Sequence, residues 1–274
     1  MKQRPSFPAR LAGSGEKIRS LTGIGDGRAG RHGAQVRTTA GPVAGGHAVK
    51  VSAAQELGLE FTAVRGNMVL QLARQGAADA RVLQAMGMVE RHRFVDTALR
   101  AQAYEDTSLP IGLGQTISKP GVVSRMIELL RNGQAGKLGR VLEIGTGCGY
   151  QAAVLSLLAD EVYSIERLRG LHDKARDNLR HLRLANVHLL FGDGMAGFPK
   201  GAPYAGIIAA AGGDAVPKAW TDQLAVGGRL VAPVSMAVPA GVRQALLVVE
   251  KTPSGLRQAV YEAVHFVPLK SGVA

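Results

Sequence analysis

An α/β fold is predicted for this chain: a doubly wound, seven-stranded, mostly parallel sheet with a helical subregion before it and an antiparallel C-terminal strand. Three observations carry this. Val141 to Gly149, VLEIGTGCG, is a short apolar run that turns through alternate glycines into the apolar helical segment YQAAVLSLLA. After Arg140, strand-like and helix-like segments alternate, as βα units of a parallel sheet do. The last two strand-like runs, QALLVVEK and YEAVHFVPL, have no helix between them and read as a hairpin.

In order along the chain, residues 1 to 60 are rich in Gly, Arg, Ala and Pro without a sustained apolar period, which predicts a disordered basic extension. Met68 would serve as an alternative start for the folded region. Residues 67–139 form the helical and loop subregion. NMVLQLARQG and DARVLQAMGMV carry apolar residues three and four apart. RHRFVDTALRAQAYEDTSLPIGLGQTIS is mixed and loop-rich. KPGVVSRMIELLR is an amphipathic helix with Val122, Val123, Met126, Ile127 and Leu130 in one stripe, Ser118 at the N-cap and Pro120 in the first turn.

Residues 140–270 form the core. VLEI is its first strand, EVYSIE (161–166) the second and VHLLFGDG (187–194) the third, with HDKARDNLRHLRLA a charged helix between the last two. AGIIAAA (205–211) is the fourth strand, KAWTDQLA a short helix and GGRLVAPV (227–234) the fifth. TPSGLRQ joins the closing pair, and Pro268 stops the last strand.

Composition narrows the class. With 46% hydrophobic residues and a mean hydropathy of +0.06, the 274-residue chain has ample material for a core, supplied by aliphatic residues because aromatics make up 4%. No apolar run approaches the roughly 18 residues of a membrane span. The one cysteine excludes a disulfide framework and fits a reducing, cytoplasmic setting. Of the net charge of +12, seven belong to residues 1–50, with nine Lys/Arg against Glu16 and Asp26. That arm leaves open weak nucleic-acid or partner binding through residues 1–60, although a solvated tail accounts for it better.

The candidate site follows from the sheet, because ligands of doubly wound folds lie beyond the C-terminal strand ends. Gly145, Gly147 and Gly149 are spaced G-x-G-x-G rather than the G-x-G-x-x-G of pyrophosphate sites. With Glu143 beside them, they suit a nucleoside ligand without phosphate, for which S-adenosyl-L-methionine is the candidate. Glu166 ends the second strand, where an acid can take ribose hydroxyls. Gly192, Asp193 and Gly194 follow the third, where an amide and a carboxylate can read an adenine edge. Ala210 to Gly213 would line the methyl-donor end. Cys148 has no activating neighbour, since His172 and His181 fall on the next helix, so it reads as a space-filler. The histidines lack metal-ligand spacing, and no metal is expected.

GQTISKP (114–120), the RHRFVDTALRAQAYEDTSLPIG before it and the VLEIGTGCGYQAAVL after it together resemble the protein-L-isoaspartate O-methyltransferases. The resemblance runs over residues 67–270, through YSIER, FGDG, GGRLVAPV and VHFVPL. The glycine loop and acids are common to many methyltransferases, whereas the TIS-x-P segment is specific. The resemblance implies a Rossmann-like methyltransferase in which Gln115, Thr116, Ile117 and Ser118 cover the cofactor, and Ser118 is the active-site residue. It implies isoaspartyl peptides and proteins as substrates, S-adenosyl-L-homocysteine as co-product, and a monomer without membrane attachment. Three positions depart from the family pattern: AAAGGDAVP after the fourth strand, His265 in place of an Arg, and Gly121 in place of an aromatic. Methylation of another carboxylate or of RNA is the alternative. A base-methylase N/D-P-P-Y/F segment is missing after the fourth strand, where the chain reads AAAGG.

Overall fold

The structure, a computed structural model, describes residues 53–238 and 241–274. The proposed arm through residue 52 lies outside them. The first helix, α1 (Ala53–Arg74), begins inside the segment assigned to the extension, so that boundary moves. Ala53-Ala-Gln-Glu-Leu are strong helix formers, and Phe61, Met68 and Leu72 continue an apolar face into the core. Helix α2 (Ala80–Met88) is capped by Asp79, which accepts the Arg81 and Val82 N–H groups.

The segment read as loop-rich holds two short 3₁₀ turns and a hairpin of β1 (Leu109–Gly112) and β2 (Gln115–Ile117). Its two-residue loop, Leu113-Gly114, has φ of 52° and 68°, the left-handed pair that matches strand twist. Helix α3 (Pro120–Arg131) buries Val123, Met126, Ile127 and Leu130 as the periodicity requires. Ser118 is not its cap. Pro120 takes the first helical position, which moves the cap to Lys119, and Asp106 from the preceding loop accepts the Gly121 N–H at 2.6 Å.

The sheet comprises β3 (Leu138–Ile144), β4 (Ala159–Glu166), β5 (Val187–Phe191), β6 (Tyr204–Ala209), β7 (Leu224–Val238), β8 (Gly241–Thr252) and β9 (Gly255–Val264). Its order is β5-β4-β3-β6-β7-β8-β9, parallel from β5 to β7 and antiparallel at β7–β8 and β8–β9. The strand order reverses between β3 and β6, which opens a crevice at their C-terminal ends. Alternation along β3 directs Val141 to the face covered by α3 and α4 (Tyr150–Ser156), and Leu142 and Ile144 to the face covered by Trp220 of α6 (Lys218–Gln223).

Among the boundaries that differ from the sequence reading, three stand out. Helix α5 (Arg169–Arg180) stops short of Ala185, and Arg183 just beyond it adopts φ 49°. The ladder of the closing hairpin runs down to Thr252↔Gly255, so Pro253 and Ser254 alone make its turn. β9 ends at Val264, before Pro268. There the backbone changes partner: Phe266 N–H donates to Gln244 Oε1, Gly212 N–H to Val267 O, and Leu269 N–H to Gly212 O. The segment therefore leaves β8 and lies along the loop after β6.

Candidate active site

Two adjoining cavities, of about 250 and 870 Å³, open above the β3–β6 crevice. The smaller is floored by the glycine loop. Gly147 and Gly149 have φ of 57° and 91°, and a Cβ on either would press on Ile111 or Leu179. The hairpin loop and β2 form one wall through Leu113, Gln115, Thr116, Ile117 and Ser118. Val267 to Lys270 form another.

Glu166, at the end of β4, lines this cavity while each of its oxygens accepts one backbone N–H, from Gly147 and Leu168, both at 2.9 Å. A carboxylate oxygen has a second lone pair, so both remain open to a ligand hydroxyl. Glu143 is fully buried and does not line the cavity. Its Oε2 is hydrogen-bonded to Ser164, which pairs with Thr146 of the glycine loop at 2.6 Å. Burial pushes Glu143 up to about 8, against the pull of the Ser164 hydrogen bond. It is a neutral acid at pH 7 that props the loop from behind.

Gly194 lines the cavity, and any Cβ there would strike Ile144. Gly192 and Asp193 do not. Asp193 accepts the Met195 N–H at 2.8 Å and the Gly272 N–H at 2.7 Å, so its carboxylate ties the last residues of the sequence to the end of β5. Cys148 is buried against the cavity floor, and burial pushes its thiol up to about 11, so it is an unreactive filler.

The sequence reading missed Gln151. It is the second residue of α4, it lines the cavity, and its buried Nε2 has no hydrogen-bond partner. The signal available was a single amide in an otherwise apolar helix directly after the glycine loop. The segment 267–270 carries no such signal, because the strand pattern of YEAVHFVPL runs up to Pro268.

Ser118, Thr116, Ala210 and Val267 belong to the walls of both cavities. The Ser118 hydroxyl makes no hydrogen bond among the described residues, which leaves it free at the junction. The larger cavity is rimmed by Asp106, Lys119, Arg125, Glu128, Glu262 and His265, charges of both signs. Among the described residues no group of three His, Cys, Asp or Glu side chains could hold a metal ion, and no helix is long and apolar enough to cross a membrane.

The family model described as protein-L-isoaspartate(D-aspartate) O-methyltransferase matches residues 63–274. A protein-L-isoaspartate O-methyltransferase of Methylibium petroleiphilum is 60% identical over 79% of this chain and 80% of its own length. That of Ralstonia nicotianae is 50% identical over 97% and 86%. The chain belongs to the protein-L-isoaspartate O-methyltransferase family. It is thus an S-adenosyl-L-methionine-dependent enzyme that methylates isoaspartyl residues of damaged proteins. A solved protein-L-isoaspartate O-methyltransferase superposes with a TM-score of 0.68 at 28% identity, over 76% of this chain and 67% of that one. A Plasmodium falciparum neighbour in complex with S-adenosyl-L-homocysteine has a TM-score of 0.65 at 22% identity, over 75% and 98%, and shares the fold.

Proposed function

We propose that the smaller cavity holds S-adenosyl-L-methionine, that the larger takes the isoaspartyl segment, and that Ser118 orients the reacting carboxylate between them. The free Ser118 hydroxyl in the wall common to both cavities carries this reading.

The fit to the cofactor rests on chemistry already present. Glycine backbone at Gly145, Gly147 and Gly149 allows close approach, Glu166 offers open lone pairs to ribose hydroxyls, and the Gln151 amide, set between the cavity and the buried Glu143 carboxyl, is a further polar group there. Gln115, Thr116 and Ile117 cover the ligand, and Gly194 lies at its adenine end, with Gly192 and Asp193 behind it shaping that turn. Glu143 acts through Ser164 and Thr146 rather than by contact. When bound, the cofactor supplies an electrophilic methyl group on a sulfonium.

The acceptor carboxylate has a pKa near ~4 and is an anion at neutral pH, so no side chain needs to remove a proton. That agrees with a junction lined by hydroxyls and backbone. Ser118 donates to one carboxylate oxygen and leaves the other aimed at the smaller cavity. Alignment of this kind contributes up to about 7–11 kcal/mol in favourable cases. The methyl ester then closes to a succinimide, which reopens partly as aspartate. We place the enzyme in the cytoplasm as a monomer, in keeping with its buried, unreactive thiol.

Ser118→Ala tests the assignment. A hydrogen bond to a charged group contributes about 1.5–3 kcal/mol, so kcat/KM for an isoaspartyl peptide falls roughly ten- to hundredfold. Calorimetry should show S-adenosyl-L-homocysteine affinity unchanged. Unaltered turnover would remove Ser118 from the mechanism.

A further inference from the structure

The chain carries a sequence prone to the lesion it repairs. Isoaspartate forms when a backbone N–H nitrogen attacks the side-chain carbonyl of the preceding asparagine. A following glycine, having no Cβ, offers least hindrance to the attack. Of the four asparagines in the sequence, Asn132 alone precedes glycine.

The structure separates Asn132 from the other three. Asn67 lies within α1. Asn178 and Asn186 are tethered through their Nδ2 atoms, to Cys148 O and to Ser156 O, both at 2.9 Å. Asn132 ends α3 at φ 47°, and its side chain has no hydrogen bond among the described residues. It opens a run of six exposed residues, 132–137. The Gly133 N–H, the nucleophile, has no acceptor among them either. The buried Arg131 guanidinium grips the loop through Gln134 O and Gly136 O and leaves Asn132 and Gly133 ungripped. Opening so short a stretch at a helix end costs little. The described Asp-Gly pair is the contrasting case: both Asp193 oxygens are engaged and Gly194 is buried.

We propose that Asn132 is a modification site of this enzyme, converted spontaneously to isoaspartate and then methylated there by a second copy of the same chain. Gly133 N bonds to Asn132 Cγ and the side-chain amide leaves as ammonia, which gives a succinimide. Water adds at one carbonyl and breaks its C–N bond; opening at the main-chain carbonyl leaves Gly133 N bonded to Cγ and yields isoaspartate with a free α-carboxylate. No oxidant or cofactor enters these steps. Methylation then follows the enzyme's own reaction: a carboxylate oxygen bonds to the methyl group and the sulfur–methyl bond breaks.

The repair must be in trans. Ser118 precedes α3 and Asn132 follows it, and 12 helical residues rising about 1.5 Å each set them roughly 18 Å apart. The flanking residues Gly133, Gln134, Ala135 and Gly136 are small or neutral and suit an open groove with rim charges of both signs. The damage has a consequence for function, because an isoaspartyl link adds a methylene to the connection into β3, the strand that delivers the glycine loop.

The test is to age the full-length protein and Asn132→Gly in parallel. Glycine accepts the positive φ and cannot deamidate, so the variant keeps its fold and activity. Each is then mixed with fresh enzyme and labelled S-adenosyl-L-methionine, beside a standard isoaspartyl peptide. Quenching in acid preserves the methyl ester, and pepsin, which cleaves in acid beside residues such as Leu130 and Leu138, isolates the segment that holds residue 132. Base-labile label on that peptide, rising in proportion to fresh enzyme and at least tenfold lower in N132G, is the expected result. Asn132 remaining an amide while the standard is labelled overturns the proposal. So does isoaspartate at 132 that stays unlabelled, or label whose initial rate per chain does not change with total enzyme concentration. An unlabelled standard would fail the family activity itself, and this proposal with it.

Discussion

Glu143→Gln should flatten the pH dependence of stability. In the folded state Glu143 keeps its proton until about pH 8, whereas the unfolded chain releases it near the ordinary value of 4.5. Between these values the folded state binds more protons than the unfolded one, so stability falls as pH rises. The slope approaches about 1.4 kcal/mol per pH unit for one group, so wild type loses about 2–3 kcal/mol between pH 5 and 7 through this residue. Glutamine has the same shape, retains an acceptor for Ser164 and has nothing to titrate. Denaturant unfolding of both proteins at pH 5, 6, 7 and 8 reads the difference, because other titrating groups cancel between them. At about 2–4 °C per kcal/mol for a domain of this size, their melting temperatures should diverge by roughly 5–11 °C from pH 5 to 7, with the glutamine variant gaining on wild type as pH rises. Parallel stability profiles would mean that Glu143 ionises normally, and that its neutral, loop-propping role is wrong.

Three further outcomes are expected. Glu166→Ala should weaken S-adenosyl-L-homocysteine binding at least tenfold by calorimetry and leave the Gly147 N–H without its acceptor; equal affinities would refute the ribose assignment. Removing residues 271–274 breaks main-chain bonds from Gly272 and Ala274 to Arg167, Arg169 and Asp193, so stopped-flow release of S-adenosyl-L-homocysteine should quicken about tenfold, and an unchanged rate would show that this segment does not restrain the ligand. Cys148, with its thiol held up to about 11, should resist iodoacetamide in the native protein at pH 8 and react on unfolding; rapid native alkylation would contradict its burial.

What was legible in the sequence was local. The glycine turn, the βα alternation and the α3 stripe each announce themselves within one element, because backbone sterics and helical or strand period act over a few residues. Ser118, Glu166 and Gly194 could be placed at the cavity because each sits beside a strand end or motif of its own. The departures share one cause, which is competition for partners distant in the chain. Ser118 lost the cap of α3 to Lys119 once Pro120 took the first turn and Asp106 reached the next N–H. Asp193 looks free to read a base, but Gly272, far along the chain, has its second oxygen. Pro268 marks the end of a strand in the sequence pattern, but the chain has already left its ladder at Val264, drawn off by Gln244 and Gly212.

The same competition explains how the site closes. The cavity floor comes from the β3–α4 turn, one wall from the hairpin that precedes the sheet and another from the segment that follows it. The hairpin is held down by Lys174 of α5, whose Nζ donates to Ile111 O at 2.8 Å and pairs with Asp96 at 3.3 Å. The closing segment is held by Gln244, Gly212 and Asp193. For a displacement that needs no proton taken from its nucleophile, alignment and exclusion of water are what remain for a protein to supply. Segments from both ends of the fold, clamped through their main-chain groups over one strand terminus, supply both without a charged catalytic side chain at the junction.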